Sequence, residues 1–176
     1  MEKRRGYLKP RKAGSVRLIA HSKMPSFSEK SKQRLATCHP DLQRLFEEVV
    51  KVVDCTVLEG FRSDEDQQEA FDTGKSQLRP GQSLHNRRPS MAVDVAPYPI
   101  DWNDWHRWYF FAGYVLGTAR GMGMEIRSGL DWNMNYDFKD QSFFDAPHFE
   151  LLKATSTSRL VTISPSNGEP GSEGDG

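Results

Sequence analysis

The sequence of 176 residues predicts an α+β domain in which helices flank a small antiparallel sheet. Two helical segments precede the first of four short strands, and further helical segments lie between the strands. Two segments longer than about 15 residues lack any periodicity, and loops of that length usually carry function or are disordered. With 36% hydrophobic and 11% aromatic residues, the chain can bury a single core without disulfide bonds.

The helices are predicted from apolar periodicity and from residues typical of helix ends. Ser28 is a suitable N-cap for a first helix that ends near residue 37, and His39-Pro40 interrupts it. A 3.6-residue apolar stripe predicts a second helix over residues 41–53. Further helices are expected over residues 63–72 and 101–121, where Gly74 and Gly123 follow their last turns.

The strands are predicted from short β-branched or apolar runs bounded by turn residues. They cover residues 55–58, 91–96, 124–128 and 148–152. Residues 74–90 and 129–147 are expected to be the two long loops. The sequence therefore places one folded domain over residues 26–153.

The two ends differ from this domain in charge and composition. Residues 1–23 contain eight Lys or Arg and one acid, and residues 164–176 contain three acids and no base. We expect residues 1–25 to be a flexible basic arm and residues 154–176 a disordered tail rich in Ser, Thr, Gly and Pro. A solvated extension is the simpler interpretation of the arm, and binding to an anionic partner is the alternative.

The number of cysteines and the length of the apolar segments indicate the compartment in which the protein is made. Cys38 and Cys55 are too few for a disulfide framework and are expected to be buried free thiols. No apolar run is long enough for a signal peptide or for the roughly 18 residues of a membrane span. We therefore expect synthesis in a reducing cytoplasm and no membrane-spanning segment.

Three polar residues next to the predicted strands could bind a metal ion. Asp94 alternates with Val93 and Val95 in an apolar strand, where a carboxylate is costly to bury unless it is paired or bound to a metal. His85 lies in the loop before that strand, and His148 begins the last strand. Two imidazoles and one carboxylate form a common catalytic zinc set with a fourth position for water. The alternatives are a surface loop histidine, a turn-capping carboxylate and an edge-strand histidine.

Other residues near these positions are candidates for catalysis and substrate binding. Asp145, three residues before His148, could be a general base near the metal. Trp132, in the second long loop, is a candidate for lining a substrate cleft. Glu150 lies on the same side of its strand as His148 and could orient it.

Trp102, Trp105 and Trp108 are expected to form one core-facing helix face, with a sugar-stacking platform as the alternative. His106, which lies in the same predicted helix, is expected to be a partly buried core histidine.

Several motifs, in the same order along the chain, resemble a family of metallopeptidases. They are Ser83-Leu84-His85, the segment Ala92-Val93-Asp94-Val95-Ala96-Pro97, and Asp145 followed by His148-Phe149-Glu150-Leu151. Supporting motifs are Glu59-Gly60-Phe61-Arg62-Ser63 with Gln68 following, Ile100-Asp101-Trp102-Asn103-Asp104, and Gly129-Leu130-Asp131-Trp132. Together they resemble the D-alanyl-D-alanine carboxypeptidase and L-alanyl-D-glutamate endopeptidase family, and within it phage endolysins, over roughly residues 26–153.

The resemblance implies a Hedgehog/DD-peptidase-like zinc fold with one Zn²⁺ per chain. It implies His85, Asp94 and His148 as ligands, Asp145 as catalytic base, and Arg62 as a contact to substrate or transition state. Ser83, part of the first motif, is expected to contact substrate. Asp94 follows His85 by nine residues, two more than in many members of the family.

The function expected from this resemblance is zinc-dependent hydrolysis of a peptidoglycan stem peptide, in lysis of a phage host. The bond between L-alanine and D-glutamate is the first choice, and removal of a terminal D-alanine is the alternative. A non-catalytic, zinc-containing cell-wall-binding domain is a second hypothesis. Nucleic-acid binding through the basic arm is a third, and we do not expect it to be the main function. The protein is expected to be a monomer that acts at the cell wall after release.

Overall fold

The computed structural model describes residues 24–153. The predicted basic arm, up to residue 23, and the predicted tail over residues 154–176 lie outside these described residues. The helices are α1 (Glu29–Leu35), α2 (Pro40–Val50), α3 (Asp64–Asp72) and α4 (Trp105–Gly121), with a short 3₁₀ helix at Leu84–Asn86. The strands are β1 (Cys55–Glu59), β2 (Ala92–Pro97), β3 (Glu125–Ser128) and β4 (His148–Lys153).

The four strands form one antiparallel sheet in the order β1-β2-β4-β3. The last strand is therefore inserted between β2 and β3, which brings residues far apart in sequence to the middle of the sheet. The register pairs Asp94 of β2 with His148 of β4, and Arg127 of β3 with Glu150 of β4. The α+β fold with a small antiparallel sheet is confirmed.

The two faces of the sheet have different partners. Helix α4 packs against α2 and against β2 and β3. Val93, Val95 and Phe149 alternate onto that face and are fully buried, and the Phe149 ring makes edge contacts with Phe46 and Phe111 at 5.6 and 5.9 Å. Because successive side chains on a strand point to opposite faces, Asp94 and His148 lie on the face that the core leaves free.

The helix starts predicted from the sequence agree with the structure to within about one residue, except at α4. Ser28 accepts a hydrogen bond from the backbone N–H of Ser31 at 3.2 Å, as expected for an N-cap. Helix α4 begins at Trp105, four residues after the predicted start. Asp101 accepts the backbone N–H of Asn103 in a turn before the helix, and Asp104 accepts that of Arg107 in the first turn of α4 as its N-cap.

The prediction of a tryptophan face directed at the core is wrong for two of the three residues. Trp108 is buried, whereas Trp102 is 53% and Trp105 43% exposed. Trp102 precedes the helix and stacks on Trp108 at 5.2 Å between ring centroids. His106, expected to be a partly buried core histidine, is exposed because it lies beside Trp105 on the outer side of the helix.

Both cysteines are buried free thiols, as predicted. Burial raises the pKa of each thiol to about 12, which leaves them unreactive near neutral pH. Among residues 24–153, no helix has the length and apolar content to cross a bilayer.

Gly60 packs against the end of α1, and a side chain there should destabilise the fold. A Cβ atom at Gly60 would collide with the carbonyl oxygen of Arg34 and with Oγ1 of Thr37. We expect Gly60→Ala to lower the free energy of unfolding by about 2 kcal/mol, because backbone must shift to relieve the overlap. Thermal or denaturant unfolding measures this.

Gly117→Ala is the matched control, since no atom lies within 4 Å of a Cβ at this exposed helical position. It should leave stability unchanged or raise it by up to about 1 kcal/mol through helix propensity. Equal stability of the two variants would contradict the packing described for Gly60.

Candidate metal centre and active site

The middle of the sheet supplies two of the three clustered side chains. The β2–β4 register places Asp94 directly opposite His148, and both side chains leave the sheet on the face away from α4. The Nδ1 atom of His148 lies 3.1 Å from Oδ1 of Asp94. Their proximity therefore follows from strand pairing and does not depend on a loop conformation.

His85 reaches the same point from the 3₁₀ helix that precedes β2. The hydroxyl of Ser83 caps this helix by accepting the backbone N–H of His85 at 3.2 Å. The ring Nδ1 of His85 lies 2.6 Å from the carbonyl oxygen of Gly60. Because a carbonyl can only accept, Nδ1 carries the proton, and the lone pair of Nε2 is left free to bind a metal.

Three donor atoms converge at this point. His85 Nε2 is 3.2 Å from His148 Nδ1 and 3.3 Å from Asp94 Oδ1. Metal–ligand bonds of about 2.0–2.1 Å in a tetrahedron separate the ligand atoms by about 3.3 Å, so the cluster matches the size of a zinc site. Two imidazoles with one carboxylate also leave one position of the tetrahedron open. His85, Asp94 and His148 thus form a cluster that could hold a metal ion.

Glu150 orients His148 through the nitrogen that faces away from the cluster. Its Oε2 lies 3.1 Å from His148 Nε2, and Arg127 on the neighbouring strand pairs with the same carboxylate. A carboxylate that accepts Nε2–H leaves Nδ1 as the donor toward a metal. The two histidines therefore offer different ring nitrogens, Nε2 from His85 and Nδ1 from His148.

The pKa shifts of His148 and Asp94 indicate a negative electrostatic potential at the site, which favours bound cations. Burial works against protonated His148, but hydrogen bonds to Asp94 and Glu150 outweigh it and raise the pKa of His148 to about 9. Burial opposes the ionised form of Asp94, yet the neighbouring His85 and His148 lower its pKa well below the usual range. The negative potential that retains a proton on His148 in the metal-free protein would equally favour a divalent ion.

Asp145 lines the cleft beside this cluster, and backbone hydrogen bonds to Gly129 and His148 hold it in place. Its N–H donates to the Gly129 carbonyl at 2.9 Å, and its carbonyl accepts the His148 N–H at 3.0 Å. Gly129 has to be a glycine, since a Cβ there would overlap the Asp145 carbonyl. Burial and then the charge of Asp94 raise the pKa of the Asp145 carboxyl.

Arg62 also lines the cleft and lies close to Asp94. Its Nη2 is 3.9 Å from Asp94 Oδ2, and it forms a two-point ion pair with Glu59. The side-chain amide oxygen Oε1 of Gln67 accepts from Nη1 at 3.0 Å. These contacts use three of the five guanidinium N–H bonds and leave two for another partner.

Glu59 and Gln67 were not identified from the sequence as part of the site. Gln67 is the buried residue of α3, and its side-chain amide also donates to the carbonyl oxygen of Leu78 at 2.6 Å. The motif match had pointed to Gln68, which instead bonds Asp72 along the helix. Only the tertiary fold distinguishes the two neighbouring glutamines.

The cluster lies in a cleft of about 520 Å³. The residues predicted to bind metal, to take part in catalysis or to contact substrate all line this cleft: Arg62, Ser83, His85, Asp94, Trp132, Asp145 and His148. The Trp132 ring lies 5.3 Å from the His148 ring, and its Nε1–H donates to the Phe143 carbonyl at 3.1 Å. The cleft therefore runs from the three candidate metal ligands to both long loops.

Comparison with known proteins decides the family. Residues 24–152 match the family model described as phage L-alanyl-D-glutamate peptidase. The chain belongs to this family.

Two relatives of this phage L-alanyl-D-glutamate peptidase family agree with the assignment. The chain is 30% identical over 135 residues to the L-alanyl-D-glutamate peptidase of Escherichia phage T5, covering 72% of this chain and 97% of that protein. The crystal structure of the Serratia marcescens L-Ala D-Glu endopeptidase ChiX matches with a TM-score of 0.58 at 29% identity. That match covers 72% of this chain and 90% of ChiX.

The family membership confirms the prediction of a peptidase that acts on peptidoglycan. It favours the L-alanyl-D-glutamate bond over the D-alanyl carboxypeptidase alternative and over a non-catalytic binding domain. The expected likeness to phage endolysins is confirmed as well.

If Glu150 orients His148, its loss should weaken metal binding without unfolding the sheet. We expect Glu150→Gln to lower the affinity for Zn²⁺ by about 10–100-fold, because a neutral amide accepts the His148 Nε2–H more weakly than a carboxylate and no longer raises the basicity of the ring. Competition with a chromophoric chelator measures the affinity. Glu125→Gln, at an exposed position at the start of β3, is the control and should bind as the unaltered protein does. Equal affinity for both variants would remove Glu150 from this role.

Proposed function

We propose that this chain is a zinc-dependent endopeptidase that hydrolyses the L-alanyl-D-glutamate bond of the peptidoglycan stem peptide. One Zn²⁺ per chain would be held by His85, Asp94 and His148. The observation that carries the proposal is the convergence of their three donor atoms at 3.1–3.3 Å inside the cleft of a peptidase-family domain.

The donor set favours zinc over other abundant divalent ions. Imidazole nitrogens suit zinc and other transition metals, whereas Ca²⁺ and Mg²⁺ prefer oxygen ligands. When bound, zinc supplies a Lewis acid that lowers the pKa of a coordinated water toward neutrality and polarises a carbonyl. The protein residues supply the remaining chemistry.

Asp145 is proposed as the group that moves the proton. Its carboxylate lies in the cleft within electrostatic range of His85, Asp94 and His148, but outside the cluster of three donor atoms. The raised pKa of Asp145 lies closer to neutral pH than that of an ordinary carboxyl group, and a general base works best when its pKa is near the working pH. Asp145 would accept a proton from the attacking water and deliver it to the departing amine of D-glutamate.

Arg62 is proposed to stabilise negative charge on the scissile carbonyl oxygen. Its guanidinium remains charged at all working pH values, and its contact with Glu59 raises its pKa further. The contacts to Glu59 and Gln67 fix the fork of donors before substrate binds, so no reorganisation is needed during reaction. The two remaining N–H bonds can then point to a developing oxyanion.

The rest of the cleft suits an acidic peptide. Arg62 and Arg127 line it but are paired with Glu59 and Glu150, so Lys75 is the lining cation that can offer positive charge to a substrate whose D-glutamate carries a free carboxylate. Ser83 and Trp132 are proposed to contact the peptide, since both border the metal cluster. The retained Asp145 argues against the non-catalytic alternative, because a binding domain has no need of a base.

The proposed place of action is the cell wall of the phage host, after release from the cytoplasm. A monomer is sufficient for this activity, since the described residues of one chain supply every group used above.

Mass spectrometry of digested peptidoglycan tests the proposed function and the role of Asp145 together. The zinc-loaded protein should release peptides that begin with D-glutamate and leave L-alanine on the glycan. We expect Asp145→Asn to lower kcat by about 10²–10⁴-fold through loss of proton transfer, with zinc content unchanged.

Asp72→Asn, at an exposed position of α3, controls for removal of a carboxylate and should retain full activity. Release of D-alanine in place of these peptides would support the carboxypeptidase alternative. Full activity of Asp145→Asn would exclude Asp145 as the base.

A further inference from the structure

A row of exposed aromatic side chains leads away from the cleft. We define the aromatic strip as Trp132, Phe143, Phe144 and Trp105. The rings of Trp132 and Phe143 stack at 6.0 Å, and those of Phe144 and Trp105 meet edge to face at 6.1 Å. Phe143, Phe144 and Trp105 are each between 40% and 43% exposed, so a substantial part of each ring remains open to solvent.

One end of the strip lies in the catalytic cleft. Trp132 and Phe143 line the cleft, and the Trp132 ring is 5.3 Å from His148. Phe144 is the next residue after Phe143, and its ring contacts Trp105 at the start of α4, so the two ring pairs are joined through the backbone of this loop. Trp105 is packed in turn against Tyr109, whose ring stacks on Phe138 at 5.2 Å. The outer end of the strip therefore rests on further aromatic rings and is held in place.

The proposed substrate carries a sugar close to the scissile bond, which would account for exposed aromatic rings beside the cleft. In peptidoglycan, the amine of L-alanine is joined through a lactyl group to a muramic acid sugar. One extended residue spans about 3.5 Å, so the sugar lies on the order of 10 Å from the scissile amide. A sugar presents one face of C–H bonds, and flat aromatic side chains bind such faces at little cost in conformational entropy.

We propose that the aromatic strip binds the glycan part of the substrate, with sugar rings stacked on Trp105 and Phe144 while the stem peptide occupies the cleft. The inference rests on the proposed function and adds a glycan subsite to it. It also orients the substrate, because the lining segment between Lys75 and Ser83 is mainly polar and carries a cation suited to the acidic peptide.

The test compares two substrates on the zinc-loaded full chain. One is the stem tetrapeptide on its N-acetylglucosamine–N-acetylmuramic acid disaccharide, and the other is the same tetrapeptide with only an acetyl group on L-alanine. For Trp105→Ala and Phe144→Ala we expect the ratio of kcat/KM for the sugar-bearing over the sugar-free substrate to fall by about tenfold. The loss should appear in KM.

Phe110→Ala is the control. Phe110 is 64% exposed on the same helix as Trp105, and its ring stacks on Tyr114 away from the strip. Its substrate ratio should equal that of the unaltered protein. An unchanged ratio in Trp105→Ala, or a change only in sedimentation that indicates self-association, would overturn the proposal.

Failure of the proposed function can be told apart from failure of the strip. If the unaltered protein cleaves neither substrate, isothermal titration calorimetry with the free disaccharide still reports binding. Binding that is lost in Trp105→Ala and kept in Phe110→Ala would support the strip. Absence of binding in the unaltered protein would overturn it.

Discussion

The pairing of β2 with β4 is the constraint on which the site depends. Their antiparallel register places Asp94 opposite His148, while Val93 and Phe149, one position along, face the core. A slip of β4 by one residue would turn His148 into the core, away from Asp94, and would expose Phe149. The burial of the apolar residues therefore also fixes the positions of the two candidate metal ligands on these strands.

Hydrogen bonds around the cluster then select the atoms that face the metal position. Gly60 accepts from Nδ1 of His85, and Glu150 accepts from Nε2 of His148, so the two rings present different nitrogens. Gly60 has a second role, because the absence of a side chain lets α1 pack against it. The same residue thus links packing at the edge of the sheet to the orientation of a ligand.

Much of this arrangement could be predicted from the sequence, because alternation and capping are local signals. Asp94 is an anomaly in an apolar strand, and Ser28 and Ser63 mark helix starts through their side-chain oxygens. The nine-residue interval from His85 to Asp94 closes on the cluster, since the 3₁₀ helix takes up part of it.

The features that could not be predicted depend on tertiary contacts. The choice between Gln67 and Gln68, the ion pair of Arg62 with Glu59, and the outward position of Trp105 leave no periodic signal. Helix α4 starts four residues later than predicted, because Asp101 accepts the backbone N–H of Asn103 in a turn and Asp104 accepts that of Arg107 as the N-cap.

X-ray absorption at the zinc edge of active protein tests the account most directly. It should show nitrogen and oxygen neighbours at about 2.0–2.1 Å with the scattering pattern of two imidazoles. An active protein without metal, or sulfur neighbours at about 2.3 Å, would contradict it.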